Sequence, residues 1–415
     1  MMRAMSAQRK RWAEVALLTA GLLLRWYFVW HRPGTFGDAQ LYGELARNLL
    51  QHHVYGLVDA GQLHPTLIRL PGYPVFLAAC FAVFGVGNFL AALWVQVAVD
   101  LVGWWWLSRL VRRMFGERAG WAALALGTLC PFVANYTAVA LTETLVLFTT
   151  VVALVGLERW MASGGGWNRW LWVTGAALVY SVMLRPDQGL LGVAVVGAMA
   201  WTAWRQRRVG PVLTLCMVMV LPFLLWGGRN ARELHRFEPL APRWANDPGE
   251  SVPYGFNKWY RTWAIDFKAS DDFYWNWDGD GVRMRDLPAR AIDNEAQRQE
   301  TQRIFALYAK GGNNSTPAVE EAFLKLANER VKANPLRYYV YVPTLKVVNM
   351  FLRPRTELLR LPMDWWNFRA HPKGSWIALG WALWSAAYLA LAWVGARRWW
   401  RDGGKGVRWG AMGWV

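Results

Sequence analysis

The chain has 415 residues, of which 55% are hydrophobic and 15% aromatic, with 30 tryptophans and a formal net charge of +18. This composition excludes an ordinary soluble enzyme and is typical of a membrane protein. The basic residues fall in short clusters between apolar runs, so the positive charge indicates membrane topology and not nucleic-acid binding.

The first predicted element is an uncleaved membrane helix over residues 12–30, because basic residues precede this run and no small-residue cleavage site follows it. Further apolar runs long enough to cross a bilayer lie at 88–108, 119–137, 141–157, 168–184, 187–204, 210–226 and 375–394. We therefore predict an all-α polytopic membrane protein with about eight transmembrane helices.

Arg and Lys clusters lie before the first span, between the second and third, between the sixth and seventh, and after the last. They all fall on one side, which the positive-inside rule makes cytoplasmic. The predicted domains are a transmembrane module (1–226) with a first extracytoplasmic loop (31–87), a small, mostly helical extracytoplasmic region (227–374), and a last helix with a basic cytoplasmic tail (375–415). The predicted location is the inner or plasma membrane, with an outward-facing site.

Asp38 follows the first span in the stretch FGDAQLYGELARNLL, which also contains Tyr42. A carboxylate at a membrane face is costly unless it is paired or hydrated, and this makes Asp38 a functional candidate. The alternative is a helix cap, since Asp is a favoured N-cap residue and a periodic run follows it.

Arg69 lies two residues before Pro71 in the stretch IRLPGYPVFLA. The rigid Pro-Gly-Tyr-Pro turn, which contains Tyr73, is expected to hold the guanidinium near the level of the lipid head groups. A guanidinium held there suits a phosphate ligand. The alternative is that Arg69 extends to lipid head groups without a specific role.

Two further stretches place charged residues at the same outer level. Glu143 lies in LTETLVLF, and Arg185 and Asp187 lie in MLRPDQGLL. Asp38, Glu143 and two arginines are then expected to surround one outward-facing space. For Glu143, the alternative is a hydrogen bond within a pair of helices.

The extracytoplasmic region holds two patterns of different kinds. The aromatic stretch 254–277 is expected to be a loop on the membrane face or over a cleft, with membrane anchoring as the alternative. The stretch TPAVEEAFLKLANERVKANP predicts a helix that Ser315 or Thr316 caps and Pro335 ends.

Five stretches together resemble bacterial glycosyltransferases of the C superfamily, a group similar to protein O-mannosyltransferases and lipid A aminoarabinose transferase. They are FGDAQLYGELARNLL, IRLPGYPVFLAACFAVFG, LTETLVLFTTVVAL, MLRPDQGLL and LLWGGRNARELHRFEPL. The resemblance covers roughly residues 10–355. It implies an enzyme that takes a sugar from a polyprenyl-phosphate carrier and transfers it, outside the cytoplasm, to a lipid, polysaccharide or protein acceptor.

The resemblance also implies that Asp38 is the catalytic base and that Arg69 contacts the carrier phosphate. The family often has an acidic pair in the first loop, whereas Asp38 lies between Gly37 and Ala39, so that Glu143 would supply any second carboxylate. Related chains continue through further spans, and the final stretch VRWGAMGWV reads like the start of another helix.

A phosphate leaving group needs a base on the acceptor hydroxyl and cations on the phosphate oxygens. Direct displacement would invert the anomeric centre. Arginines can neutralise the phosphate, so we expect no cofactor and no metal site, with a divalent cation as the alternative. The predicted substrate-binding residues are Arg69, Glu143, Tyr42, Tyr73 and Arg185.

The alternative from another functional class is that the protein is a transporter, or an accessory subunit of envelope polysaccharide assembly that binds a polyanion without catalysing a reaction. A transporter is expected to have ionisable or broken sites near the midplane of several spans. The charges singled out here cluster at one face, which favours an enzyme acting on a lipid-borne substrate.

Overall fold

The computed structural model describes residues 6–277, 281–359 and 361–401. The chain divides into two compact units, one running to Pro248 and the other from Gly249 to Arg397. The predicted boundary after residue 226 falls inside a helix. The stretch VRWGAMGWV and most of the predicted basic tail lie outside the described residues.

Ten α-helices and one hairpin form the described part of the first unit. The helices are α1 (Ala7–His31), α2 (Asp38–His52), α3 (Gly72–Phe84), α4 (Phe89–Phe115), α5 (Glu117–Thr128), α6 (Pro131–Thr137), α7 (Glu143–Ala162), α8 (Arg169–Leu184), α9 (Gly189–Arg205) and α10 (Gly210–Leu234). Between α2 and α3, the antiparallel strands β1 (Gly56–Asp59) and β2 (Gln62–Pro65) pair Gly56 with Pro65. This hairpin was not expected from the sequence.

Five helices of the described residues are long and apolar enough to cross a membrane: α1, α4, α7, α10 and α16 (Pro372–Arg401). They coincide with five of the predicted spans. Helices α8 and α9 are shorter, with 16 and 17 residues. The prediction of a mostly helical polytopic membrane protein is confirmed, whereas the number of spans stays a prediction.

The predicted span 119–137 is interrupted. Helix α5 ends at Thr128 and α6 begins at Pro131, with Cys130 in an extended conformation between them. Proline cannot donate a helical hydrogen bond, and it disfavours the helical conformation in the residue before it. The prediction of one continuous helix here is therefore wrong.

A buried ion pair lies beside this interruption. Arg25 of α1 donates from Nε to Asp100 Oδ2 of α4 at 2.6 Å, and both side chains are almost fully buried. Arg25 Nη1 also donates to the Thr128 carbonyl at 2.7 Å, and the Trp104 indole donates to Asp100 Oδ1 at 3.1 Å. Arg25 thus caps a carbonyl that the end of α5 leaves without a helical donor.

The second unit is also helical. Its helices are α11 (Tyr254–Tyr260), α12 (Phe267–Ala269), α13 (Glu295–Lys310), α14 (Pro317–Ala333), α15 (Val342–Leu352) and most of α16. Helix α14 confirms the predicted helix, since the Thr316 hydroxyl accepts the Val319 N–H at its N-cap and the helix stops before Pro335.

The aromatic stretch 254–277 forms the core of this second unit. Trp277 stacks on Phe256 and on Tyr308, with ring centroids 3.8 and 4.1 Å apart. The buried aromatic residues of the stretch are Phe256, Trp259, Tyr260, Trp263, Phe273 and Trp277. The expectation of a loop is wrong, because these rings pack against α13 and α14 and bury their apolar area there. Its position at the membrane face or over a cleft stays a prediction.

Candidate active site

A short backbone bridge positions the beginning of the first loop. The Gly34 N–H donates to the Ala138 carbonyl at 2.8 Å, and the Ala140 N–H donates to the Gly34 carbonyl at 3.0 Å. A Cβ at Gly34 would come within 2.7 Å of the Val139 side chain, so glycine is required for this close approach. The bridge ties the first loop to the segment that leads into α7.

Asp38 is the first residue of α2 and follows Gly37, whose φ of +59° favours glycine. Its side chain is 55% exposed and forms a 3.0 Å ion pair with Nη2 of Arg69. Among the described residues, no backbone N–H donates to the Asp38 carboxylate. The geometry therefore does not support helix capping as the role of Asp38.

Arg69 is held by its backbone. The Tyr55 hydroxyl donates to the Arg69 carbonyl at 3.0 Å. Arg229 of α10 donates in turn to the carbonyls of Tyr55 and Thr66, at 2.5 and 2.8 Å. Burial raises the pKa of Tyr55 well above its ordinary value, so the phenol stays a neutral donor. These contacts fix the loop from which the guanidinium extends to Asp38.

A second charged group lies where α7 begins and α8 ends. Arg185 Nη1 lies 3.2 Å from Glu143 Oε1, and Arg185 Nε lies 3.1 Å from Asp187 Oδ1. Arg185 is extended because Pro186 follows it and ends α8. One guanidinium thus connects two carboxylates.

Tyr42 links the two charged groups electrostatically. Burial raises the pKa of the Tyr42 phenol to about 12; the charges of Arg69 and Arg185 lower this pKa, and those of Asp38 and Glu143 raise it. All four charged side chains therefore lie close enough to act on one phenol. That the four side chains surround one space stays a prediction.

Tyr73 lies beneath Tyr42 and is 1% exposed. The two rings meet edge to face with centroids 5.1 Å apart. The Tyr73 hydroxyl donates to Gln96 Oε1 at 2.6 Å, and Gln96 Nε2 donates to the Val139 carbonyl at 2.9 Å. The hydroxyl of Tyr73 is therefore engaged inside the protein and supports Tyr42 from below.

Sequence reasoning missed Gln96, Tyr55 and Arg229 as supports of this site. Each is a polar group at or near an apolar run, where a buried polar side chain needs a partner, and this was the available signal. No group of three or more His, Cys, Asp or Glu side chains in the described residues could hold a metal ion.

An apolar groove of about 440 Å³ begins at Pro71, two residues from Arg69. It runs between α3, α8 and α10. The residues that line it are Pro71, Gly72, Val75, Tyr180, Met183, Pro222, Leu225, Trp226 and Arg229. Pro71 thus belongs both to the turn that follows Arg69 in the chain and to the wall of this groove.

Residues 64–226 match the family model described as dolichyl-phosphate-mannose-protein mannosyltransferase. The chain is also similar to the crystal structure of ArnT from Cupriavidus metallidurans bound to undecaprenyl phosphate, with 15% sequence identity, a TM-score of 0.42, and coverage of 92% of this chain and 72% of that one. No curated protein matches the chain. The resemblance to mannosyltransferase-like glycosyltransferases is thus confirmed over residues 64–226, which include Arg69, Glu143 and Arg185.

Proposed function

We propose that this protein is an integral-membrane glycosyltransferase that moves a sugar from a polyprenyl-phosphate carrier to a hydroxyl of an extracytoplasmic acceptor. The observation that carries the proposal is the exposed Asp38 carboxylate, 3.0 Å from Arg69, in a loop whose next turn supplies Pro71 to the wall of an apolar groove. A base, a cation for phosphate and an apolar channel are the three parts that a lipid-phosphate donor requires. The family match over residues 64–226 supports the same chemistry.

The donor is placed with its isoprenoid chain in the groove that begins at Pro71. We place its phosphate beside Arg69, because Pro71 of the groove wall follows Arg69 by two residues in the chain. Arg185 supplies a second cation, which Glu143 and Asp187 orient. Guanidinium groups suit this task because they bind phosphate oxygens in a fixed, bidentate geometry.

In this scheme the ion pair between Asp38 and Arg69 dissociates when the donor phosphate binds. An exposed pair of this kind contributes only about 0–1 kcal/mol, so a phosphate can replace the carboxylate as the partner of Arg69 at little cost. The released Asp38 carboxylate then accepts the proton of the acceptor hydroxyl. The acceptor oxygen bonds to the anomeric carbon while the bond from that carbon to the phosphate oxygen breaks, which inverts the configuration.

Tyr42 and Tyr73 have supporting roles in this scheme. The raised pKa of Tyr42 keeps its phenol neutral, so it can donate a hydrogen bond to the sugar or to the phosphate. Tyr73 fixes the Tyr42 ring from beneath. The two arginines balance the phosphate charge, and the scheme therefore includes no metal.

The test is a transfer assay with the purified chain in nanodiscs, together with mass spectrometry of the lipids that copurify. We expect a polyprenyl-phosphate species to be bound, and sugar transfer to an envelope extract to persist in a chelator. Binding of the lipid without transfer to any acceptor in the extract would overturn the enzymatic proposal and favour a binding subunit. Loss of transfer in the chelator would overturn the metal-free scheme.

The outward orientation is tested by labelling. Gln62 is exposed in the hairpin of the first loop. A Gln62→Cys variant should react in intact cells with a thiol reagent that does not cross membranes, because the positive-inside rule places this loop outside. Reaction only after the cells are opened would contradict the proposed orientation.

A further inference from the structure

A separate cavity of about 390 Å³ lies within the second unit, between the segment that follows α11 and helix α15. Its volume is in the range of small-ligand sites. The charged and aromatic residues that line it include Tyr260, Arg261, Asp266, Phe267, Lys346 and Arg353. None of the roles described above uses this cavity.

Lys346 gives the cavity a cation without an acidic partner. In the part of the chain that the structure describes, no carboxylate forms an ion pair with its ammonium. The ammonium lies 5.2 Å from the centroid of the Tyr260 ring. Burial and the neighbouring charge of Arg261 lower the pKa of Lys346. A partly buried cation of this kind favours an anionic ligand.

The other charges leave the cavity positive. Asp266 forms a 2.6 Å ion pair with Arg290, so its carboxylate is already neutralised. Arg353 forms a 2.9 Å ion pair with Glu357 and lies 3.9 Å from the centroid of the Phe267 ring. Lys346, with the charge of Arg261 near it, is therefore a group in this cavity that an added anion would neutralise.

The walls also suit a sugar ring. Tyr260, Phe267 and Tyr274 supply aromatic faces, and Asn349 supplies an amide on the same side of α15 as Lys346. The Tyr260 hydroxyl shares a 2.9 Å hydrogen bond with Ser270 at the cavity wall. Apolar ring faces with a few placed polar groups are the usual composition of a small-ligand site.

The opposite side of α15 is apolar and exposed. Val347, Val348, Phe351 and Leu352 are between 45% and 56% exposed, whereas Lys346 and Asn349 face the cavity. A helix with such an exposed apolar side suits contact with a lipid surface. The ligand that enters beside this helix is therefore expected to be lipid-borne.

We propose that this cavity binds the sugar-phosphate head group of a glycolipid. This binding does not depend on the proposed glycosyltransferase function. Lys346 pairs with the phosphate, and the aromatic walls hold the sugar ring.

The binding test uses the purified full chain and an amine-acetylating reagent, with modification of Lys346 quantified by peptide mass spectrometry. Glucose 1-phosphate should protect Lys346, inorganic phosphate should protect it less, and methyl glucoside should not protect it. Lys325, which is exposed on α14, should be modified equally in all samples. Equal modification of Lys346 with and without glucose 1-phosphate would overturn the site.

The matched variants are Lys346→Met and Lys325→Met, compared by calorimetry with glucose 1-phosphate. Lys346→Met should weaken binding about tenfold to a hundredfold, the usual loss for one charge-assisted hydrogen bond, and Lys325→Met should bind like the unmodified chain. Equal melting temperatures of the two variants would show that Lys346→Met is folded. Unchanged binding by folded Lys346→Met would contradict the proposal.

The source of the head group is tested in nanodiscs. Phosphatidylinositol in the bilayer should protect Lys346 from acetylation more strongly than phosphatidylcholine, because it presents a phosphate-linked polyol at the membrane surface. If soluble glucose 1-phosphate protected Lys346 and phosphatidylinositol did not, the sugar-phosphate site would stand. The proposal that its ligand is lipid-borne would be overturned.

Discussion

Two arginine–aspartate pairs of the first unit have the same chemistry and opposite surroundings. In the pair between Arg25 and Asp100, the side chains are 0% and 2% exposed and their closest atoms lie 2.6 Å apart. In the pair between Arg69 and Asp38, they are 27% and 55% exposed and 3.0 Å apart. The first pair joins two membrane-length helices, and the second lies in the loop between them.

The two pairs differ in whether another anion can replace the aspartate as the partner of the arginine. Arg25 has further bonds to the carbonyls of Gly21 and Thr128, so that no ligand can replace Asp100 without leaving buried charge behind. Arg69 faces water, where another anion can take the place of Asp38 at little cost. A buried pair therefore fixes the fold, whereas an exposed pair is suited to a reaction.

The largest expected effect is that of Asp38→Asn on transfer. The variant keeps the size of the side chain but cannot accept a proton, so we expect a loss of about 10²–10⁴-fold, the usual scale for a general base. The measurement is sugar transfer in membranes, normalised for the amount of folded protein. Asp59→Asn, at an exposed position of the hairpin, is the control and should remain active. Near-normal transfer by Asp38→Asn would end the catalytic assignment.

Asp100→Ala should act on stability instead. It leaves the Arg25 guanidinium buried without its counterion, which typically costs about 3–5 kcal/mol. The measurement is the midpoint of thermal unfolding in detergent, together with the yield of folded protein. The double variant Arg25→Met/Asp100→Leu should recover part of the loss, since it removes both charges but leaves the Thr128 carbonyl uncapped. A stable, fully folded Asp100→Ala protein would remove the contrast between the two pairs.

Arg69→Ala should have a smaller effect, on both donor binding and turnover. A cation on the phosphate stabilises the bound carrier as well as the departing charge, so we expect KM to rise and kcat to fall, with kcat/KM reduced about tenfold to a hundredfold. Steady-state kinetics with varied donor measure both. Arg47→Ala, on the exposed side of α2, is the matched control. A change in KM alone would assign Arg69 to binding only.

Tyr42→Phe is expected to have the smallest effect, because it removes one neutral hydrogen-bonding group. We expect less than about a tenfold loss of transfer. Burial raises the pKa of Tyr42 to about 12, so the phenol stays protonated up to strongly alkaline pH. Its ionisation therefore does not change the transfer rate below that pKa. Rate profiles of the two proteins between neutral pH and pH of about 10 should therefore have the same shape. An alkaline decrease in rate that the unmodified protein shows and Tyr42→Phe lacks would contradict the role of Tyr42 as a neutral hydrogen-bond donor.

The sequence was most informative where charged residues stand near one another along the chain. Asp38 and Arg69 share one loop, and the rigid proline turn limits where the guanidinium can lie, so that their association could be expected before the 3.0 Å contact was known. The sequence does not reveal Gln96, whose partners are the Tyr73 hydroxyl and the Val139 carbonyl, because these contacts arise only when α3, α4 and the α6–α7 segment pack.

Hydropathy predicted the long helices well and their interruptions poorly. A window average does not detect Pro131, which divides an apolar run without making it less apolar. The same averaging hides Arg25 and Asp100, because each lies among apolar residues in the sequence. In the structure the two charges pair with each other. The aromatic stretch 254–277 was misread because tryptophan is common both at membrane surfaces and in protein cores, and composition alone does not distinguish the two.

The position of Arg25 also has a consequence for how the protein is made. Its carboxylate partner Asp100 is synthesised 75 residues later, and the carbonyl of Thr128 103 residues later. A ribosome therefore releases α1 with a charge that the hydrocarbon interior disfavours by about 2.5–3.5 kcal/mol at the centre of a helix. Until α4 and α5 have emerged, α1 must remain within the insertion machinery or near its aqueous edge, so biogenesis of the first unit is coupled to the order in which its helices are translated.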